Sequence, residues 1–257
     1  MAGRTAVERL LPGVEVVDVH AHIGRWGSPG GEGSAEELRR ITDRSGFAKV
    51  VVSSSLAIQY DAPEGNADVA RLVETDERFH GAVTYNANYP AEAREQIERY
   101  AAHPRFVCAK NHPAHNRLPV NSPASLAVIE VLGAKRLPLV LHTWTGDGPA
   151  VAEVARRFPE LSFVWFHAMA SDYRKAAELA LELPNAHLEY VTSTQERGKV
   201  EHLVRSLGSD RMLFGTDQSL INPIYALGPL LEADLSDGDR RRILSTNARK
   251  LFAFDKR

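Results

Sequence analysis

Apolar and polar positions along this chain alternate between two rhythms. Short runs of roughly four to eight mostly apolar residues, such as 49–53, 106–110 and 138–142, read as buried strands. Between them, apolar positions recur three and four residues apart, the spacing of helices with one buried face. The first run, Val16-Val17-Asp18-Val19-His20-Ala21-His22, ends before a glycine-rich stretch over 24–33 that reads as a flexible loop. Ser34 with Glu37 three residues on is a capping-box spacing and predicts a helix to about 45–46. Further strands are expected over 79–86, 161–166, 186–191 and 211–215. Further helices are expected over about 66–75, 91–102, 123–135 (Ser122 as its cap), 149–158, 171–183 and 196–207. A loop with Tyr60, Asp61 and Pro63 leads into the first of these, and helical segments fill most of 223–252.

Eight strands alternating with helices over about 250 residues is the arrangement of a (β/α)8 TIM barrel. Near-continuous apolar strands are what a parallel sheet covered by helices requires. An open doubly wound sheet is the competitor, but no Gly-x-Gly-x-x-Gly turn follows the first strand. No linker or composition break divides the chain, so residues 1–257 read as one domain.

Composition narrows the class. The sequence is 44% hydrophobic and 25% charged with a net charge of −2, which gives no reason to expect nucleic acid or an anionic membrane as partner. One cysteine, Cys108, excludes an internal disulfide and fits a reducing compartment. No apolar run approaches the roughly 20 residues of a membrane span. Arg4, Glu8 and Arg9 break up any secretory leader, and a cytoplasmic enzyme is expected.

Barrels of this kind place chemistry at the carboxyl ends of their strands. Those positions hold His20 and His22, Lys110 and His112, His142, His167 and Asp217. The remaining histidines, His80, His103, His115, His187 and His202, read as surface or satisfied core residues. Alternation along a strand puts Asp18, His20 and His22 on one face. Imidazoles and a carboxylate converging from several strands suit one divalent ion with an open position for water. A histidine beyond the ligand set, His167, then serves as general base, and Asp217 passes a proton to the leaving group.

These stretches resemble the amidohydrolase superfamily, in particular the compact branch that includes aminocarboxymuconate-semialdehyde decarboxylase and several lactone hydrolases. The resemblance is carried by Asp18-Val19-His20-Ala21-His22, Cys108-Ala109-Lys110-Asn111-His112-Pro113, Leu139-Val140-Leu141-His142-Thr143, Trp165-Phe166-His167-Ala168, Leu213-Phe214-Gly215-Thr216-Asp217 and Asn247-Ala248-Arg249-Lys250-Leu251-Phe252. It implies that His20, His22, His142 and Asp217 bind one divalent metal, usually zinc, and that His167 is catalytic. Two stretches depart from the branch. Ala168-Met169-Ala170 stands where relatives often carry glycine, and Gln218-Ser219-Leu220 where many carry an aromatic residue and proline.

The leading expectation is a metal-dependent hydrolase of a small ester, lactone or amide. The alternatives are non-oxidative decarboxylation of an unsaturated or aromatic acid, a metal-independent lactonase, and a silent barrel kept for ligand binding. Lys110 and His112, with Trp26 and Trp144 near the pocket mouth, are the expected substrate contacts. Asp18 is expected to support the ligands by hydrogen bonds. Short loops favour a small-molecule substrate, and a homo-oligomer in which a second subunit contributes to the site is compatible with them.

Overall fold

The computed structural model describes residues 4–27, 32–190 and 196–254. Its strands are β1 (Val17–Ile23), β2 (Lys49–Ser54), β3 (Phe79–Thr84), β4 (Phe106–Asn111), β5 (Leu139–His142), β6 (Phe163–Phe166), β7 (Ala186–Tyr190) and β8 (Met212–Phe214). They pair in chain order, all parallel, as one eight-stranded sheet. The chain is a single-domain (β/α)8 barrel.

The helices are α1 (Ala6–Leu10), α2 (Ala35–Ser45), α3 (Ser55–Gln59), α4 (Ala62–Thr75), α5 (Pro90–Ala101), α6 (Pro113–Asn116) and α7 (Pro123–Lys135). They continue as α8 (Gly148–Arg157), α9 (Tyr173–Glu182), α10 (Lys199–Leu207), α11 (Pro223–Glu232), α12 (Asp237–Arg241) and α13 (Asn247–Phe252). Among the described residues, no helix is long and apolar enough to cross a membrane.

Local chemistry explains where these elements start. Ser34 accepts from the Glu37 N–H at 3.1 Å, while the Glu37 carboxylate reaches back to the Gly33 N–H at 2.7 Å. Ser122 accepts from the Ser125 N–H at 3.3 Å. The expected loop before residue 66 is instead the first turn of α4. Asp61 caps it by accepting from the Glu64 N–H at 2.9 Å, and Pro63 sits in the first turn, where its missing donor is not needed. Helix α1 was signalled by a capping box, Thr5 and Glu8, that the periodicity reading passed over because the helix has a single turn. Strand β8 is shorter than expected because Arg211 belongs to a 3-10 turn. Residues 28–31 of the glycine-rich loop and Val191 at the expected end of the seventh strand lie outside the described residues.

Two packed layers hold the barrel. Between strands and helices lies a large apolar cluster that includes Leu38, Leu72, Phe79, Ile129, Trp165 and Phe214. Inside the ring, Val17, Val19, Val51, Ala82, Cys108, Val140, Val164, Phe166 and Leu213 meet Ala248 and Phe252 of α13, with Phe254 just beyond it. Cys108 is therefore a filler of the barrel interior rather than a reactive group.

The ring closes at a narrow seam between β1 and the segment after β8. The Asp217 N–H donates to the His20 carbonyl at 2.8 Å, and the His22 N–H to the Gln218 carbonyl at 2.5 Å. The register of β1 against β2 shifts between Asp18 and Ala21. Strict alternation therefore fails. Val17 and Val19 join the interior cluster with Phe166, and His20 stacks on that same Phe166 ring at 3.9 Å. Asp18 does not share the imidazoles' face but turns to the seam.

Candidate active site

A cavity of about 550 Å³ opens at the carboxyl ends of the strands. It is lined by His20, His22, Trp26, Lys110, His112, His142, Trp144, His167 and Asp217, all nine of the expected residues. Ala114, His115 and Leu220 complete the wall.

Asp18 builds the seam that carries the donors. Its buried carboxylate accepts from the backbone N–H groups of His20 (3.0 Å) and Thr216 (3.1 Å), the Thr216 hydroxyl (2.5 Å) and the Gln218 amide (2.7 Å). Burial pushes its pKa up to about 7 against the pull of these bonds. The residues flanking Asp217 are thus tied to the stretch bearing His20 and His22.

Side-chain contacts then bring the donors together. His22 Nε2 lies 3.1 Å from Asp217 Oδ1, and His20 Nε2 lies 3.6 Å from the same oxygen. Ser53 from β2 meets His22 Nδ1 at 3.0 Å. Donor atoms of His20, His167 and Asp217 all fall within 4.8 Å of one another, a spacing that can hold a metal ion, so this compact group includes His167 and leaves out the expected ligands His22 and His142. His142 lies against this group, its ring 4.6 Å from that of His167 and stacked at 3.8 Å on His112.

Electrostatics keep the imidazoles neutral, the form that ligates metal. Burial, with nearby positive charge, holds His167 down to about 3 and His142 down to about 2, and lowers His20, His22 and His112 as well. Burial alone would raise Asp217, but the hydrogen bond from His22, helped by the Lys110 ammonium, brings it down to about 2, so it is a carboxylate. The chemistry of the set, neutral nitrogens around one anionic oxygen, fits a divalent cation.

Lys110 projects from β4 into this site, fully buried, its Nζ 4.1 Å above the Phe166 ring. Its Nζ has no hydrogen-bond partner among the described residues. Burial lowers its pKa to about 8, a shift the carboxylates of Asp217 and Glu189 oppose. A buried ammonium facing a cavity requires a partner, and an anionic ligand supplies one.

Two site residues escaped the sequence reading. His115, expected to be surface or core, stands one turn after His112 on α6, and its ring lies 4.4 Å from that of His112 and 5.8 Å from Trp26. Its spacing of three from His112 on a helix was the available signal. Glu189 of β7 is fully buried behind the donors. It accepts the His167 N–H at 2.9 Å and lies 3.6 Å from His20 Nδ1. A lone acid between Leu188 and Tyr190 marked it. Gly215 makes room: a Cβ there would collide with the Glu189 carboxylate and approach His20 Cβ to 2.7 Å.

His167 begins an unusual turn. Residues 167–170 all have positive φ (67°, 46°, 59° and 55°) and none is glycine, and Ala170 combines its φ with a ψ of −116°. Each such residue stores on the order of 1–3 kcal/mol that surrounding contacts must offset.

Solved structures of similar shape share this barrel at low identity. The 5-carboxyvanillate decarboxylase of Sphingomonas paucimobilis is 17% identical with a TM-score of 0.74, over 94% of this chain and 99% of its own. A dihydroxybenzoic acid decarboxylase of Polaromonas sp. JS666, with bound manganese and the inhibitor 2-nitroresorcinol, is 17% identical with a TM-score of 0.76 over 95% and 98%. The 2,6-dihydroxybenzoate decarboxylase of Rhizobium is 18% identical with a TM-score of 0.73 over 95% and 99%. No curated protein matches the sequence.

These neighbours correct the leading expectation of a hydrolase for small esters, lactones or amides. They are decarboxylases of aromatic acids, the class held as its alternative. In this chain the rings of Trp26, Trp144, His112 and His142 wall the cavity, and the buried Lys110 faces it. The family model described as Amidohydrolase matches residues 17–254, and the chain belongs to that family.

Proposed function

We propose that this protein is a decarboxylase of a small aromatic or unsaturated carboxylic acid, working with one divalent ion held by His20, His22, His142 and Asp217, with His167 beside them. The observation that carries this reading is the buried, unpartnered Lys110 in a ring-walled cavity that also contains the donor set. Three kinds of group in one small cavity suit a flat anion: an ammonium for its charge, ring faces for its plane and neutral imidazoles for the ion. The aromatic-acid decarboxylases of similar shape support the same class. Zinc follows from the family resemblance, while manganese is the ion in the Polaromonas neighbour.

When bound, the ion supplies positive charge that fixes the acid's oxygens and stabilises the charge that develops on the ring. The protein residues do the rest. Lys110 pairs with an anionic substituent, and Trp26 and Trp144 confine the ring at the mouth. The reaction breaks the C–CO2 bond and puts a proton on the carbon it leaves. Asp217 and His167 both face the cavity, where either can hold that proton and pass it to the carbon.

The test is carbon dioxide release from the purified protein over a panel containing 2,6-dihydroxybenzoate, 5-carboxyvanillate and muconate-type acids. Stoichiometric carbon dioxide with formation of the decarboxylated ring, abolished by chelation and restored by Mn²⁺ or Zn²⁺, is the expected result. Turnover that persists after chelation, or no release of carbon dioxide across the panel, would overturn the reading.

A further inference from the structure

The turn over residues 167–170 poses an accounting problem. A run of left-handed residues points its N–H groups one way and its carbonyls another, and buried groups of both kinds need partners. The N–H side is served from the strands. Glu189 of β7 accepts from the His167 N–H at 2.9 Å, and the Thr143 hydroxyl, just after β5, accepts from the Met169 N–H at 3.1 Å. That same hydroxyl donates to the Phe166 carbonyl at 2.7 Å. The carbonyl side is served from a helix. Lys199, first residue of α10, crosses to the turn and places Nζ 3.4 Å from the His167 carbonyl and 3.5 Å from the Ala170 carbonyl.

We propose that Lys199 is a positioning residue for His167: its ammonium, donating to both ends of a left-handed turn that contains no glycine, holds that turn closed and so fixes the imidazole in the cavity. Three observations meet here. Lys199 is only 4% exposed, a costly place for a lysine unless its charge is used. Its stem packs with Nζ 5.6 Å over the ring of Tyr173, the residue that starts α9 directly beyond the turn. Ala170 has a backbone conformation outside the small left-handed region that side-chain-bearing residues visit, so the turn opens unless it is tied. The role does not depend on which acid the enzyme takes, nor on the reaction proposed above.

The dependence can be broken from the other side. Glycine at position 170 removes the conformational penalty, and the turn then no longer needs the ammonium. The experiment is the ring spectrum of ¹⁵N-histidine-labelled full-length protein saturated with Zn²⁺, with the His167 cross-peaks assigned by their loss in His167→Gln. In Lys199→Met the His167 peaks are expected to shift or split, while those of His103, far from the turn, stay in place. Adding Ala170→Gly is expected to return the His167 peaks to their wild-type positions, and Lys199→Arg to keep them there. Unchanged His167 peaks in Lys199→Met would overturn the proposal, as would a shift that Ala170→Gly does not reverse. If Lys199→Met alone does not fold, the double variant decides: wild-type His167 peaks support the role and an unfolded double variant overturns it.

Discussion

The backbone N–H of Asp217 donates to the carbonyl of His20 at 2.8 Å, so the seam that closes the barrel and the donors of its active site are one piece of structure. Asp18 ties this seam with four accepted hydrogen bonds. Asp18→Ala leaves those donors buried without partners and is expected to cost at least about 2 kcal/mol of stability. Because the backbone bearing His20 and Asp217 loosens, Mn²⁺ affinity is expected to fall about 10–100-fold. Chemical unfolding and calorimetric titration with Mn²⁺ measure the two effects separately.

If the proposed reaction holds, Lys110 is expected to give it a basic limb in its pH profile. The ammonium is charged below about pH 8 and attracts an anionic substrate there. As pH rises through that value the charge is lost, so kcat/KM for a carboxylate substrate falls. Lys110→Met is expected to raise KM by about 10–100-fold, the worth of a hydrogen bond to a charged group, and to flatten this limb. Initial rates between pH 6 and pH 10, on scales set by the lysine reference value, provide the check.

Gly215 is where the largest steric effect of one methyl group is expected. Its Cβ would press on Glu189 and His20 together, and neither is the free end of a flexible surface side chain. Gly215→Ala is expected to lose about 1–3 kcal/mol and to weaken Mn²⁺ binding by displacing His20. Unchanged unfolding and unchanged metal affinity would show that the Glu189 carboxylate moves aside freely.

At the opposite end, Glu15 joins the start of β1 to the C-terminal segment, accepting from Arg249 (2.6 and 2.7 Å) and from Ser245 (2.6 Å). These bonds lower its pKa, Arg249 most, against the effect of partial burial. A carboxylate whose folded pKa is depressed stabilises the fold above its unfolded value, and that contribution disappears as pH falls through the folded one. Glu15→Gln is therefore expected to cost less than about 1 kcal/mol near neutrality, since the pair is partly exposed, and nothing at the acid end. Unfolding curves at pH 7 and pH 3 distinguish this from a uniform loss.

The barrel was legible because its strands are buried on both faces, which writes them as apolar runs, and because each active-site side chain stands at the end of such a run. That His20, His22, His142, His167 and Asp217 line one cavity could be read from position alone. Asp18 could not be placed correctly, because a register shift within β1 breaks the alternation from which its face was inferred. The roles of Glu189 and Lys199 went unread for another reason. Both act on the backbone of residues 167–170, and no periodicity records a turn held in place by distant side chains. The reaction class was missed because hydrolysis and decarboxylation draw on the same ligands, and the difference lies in what the cavity walls accept.

The aromatic plug at the far end of the barrel has a consequence for traffic. Phe252 and Phe254 pack into the interior cluster, and Phe254 meets the His80 ring at 4.6 Å, so among the described residues these rings stopper the barrel's axis at this end. On the proposed reaction, acid, gas and ring product would all pass the cavity mouth beside Trp26 and Trp144. In that reaction carbon dioxide, the smaller product, is expected to leave ahead of a ring paired with Lys110, and that ring to block the next acid until it departs. Accumulating ring product is then expected to compete with the substrate for the same cavity.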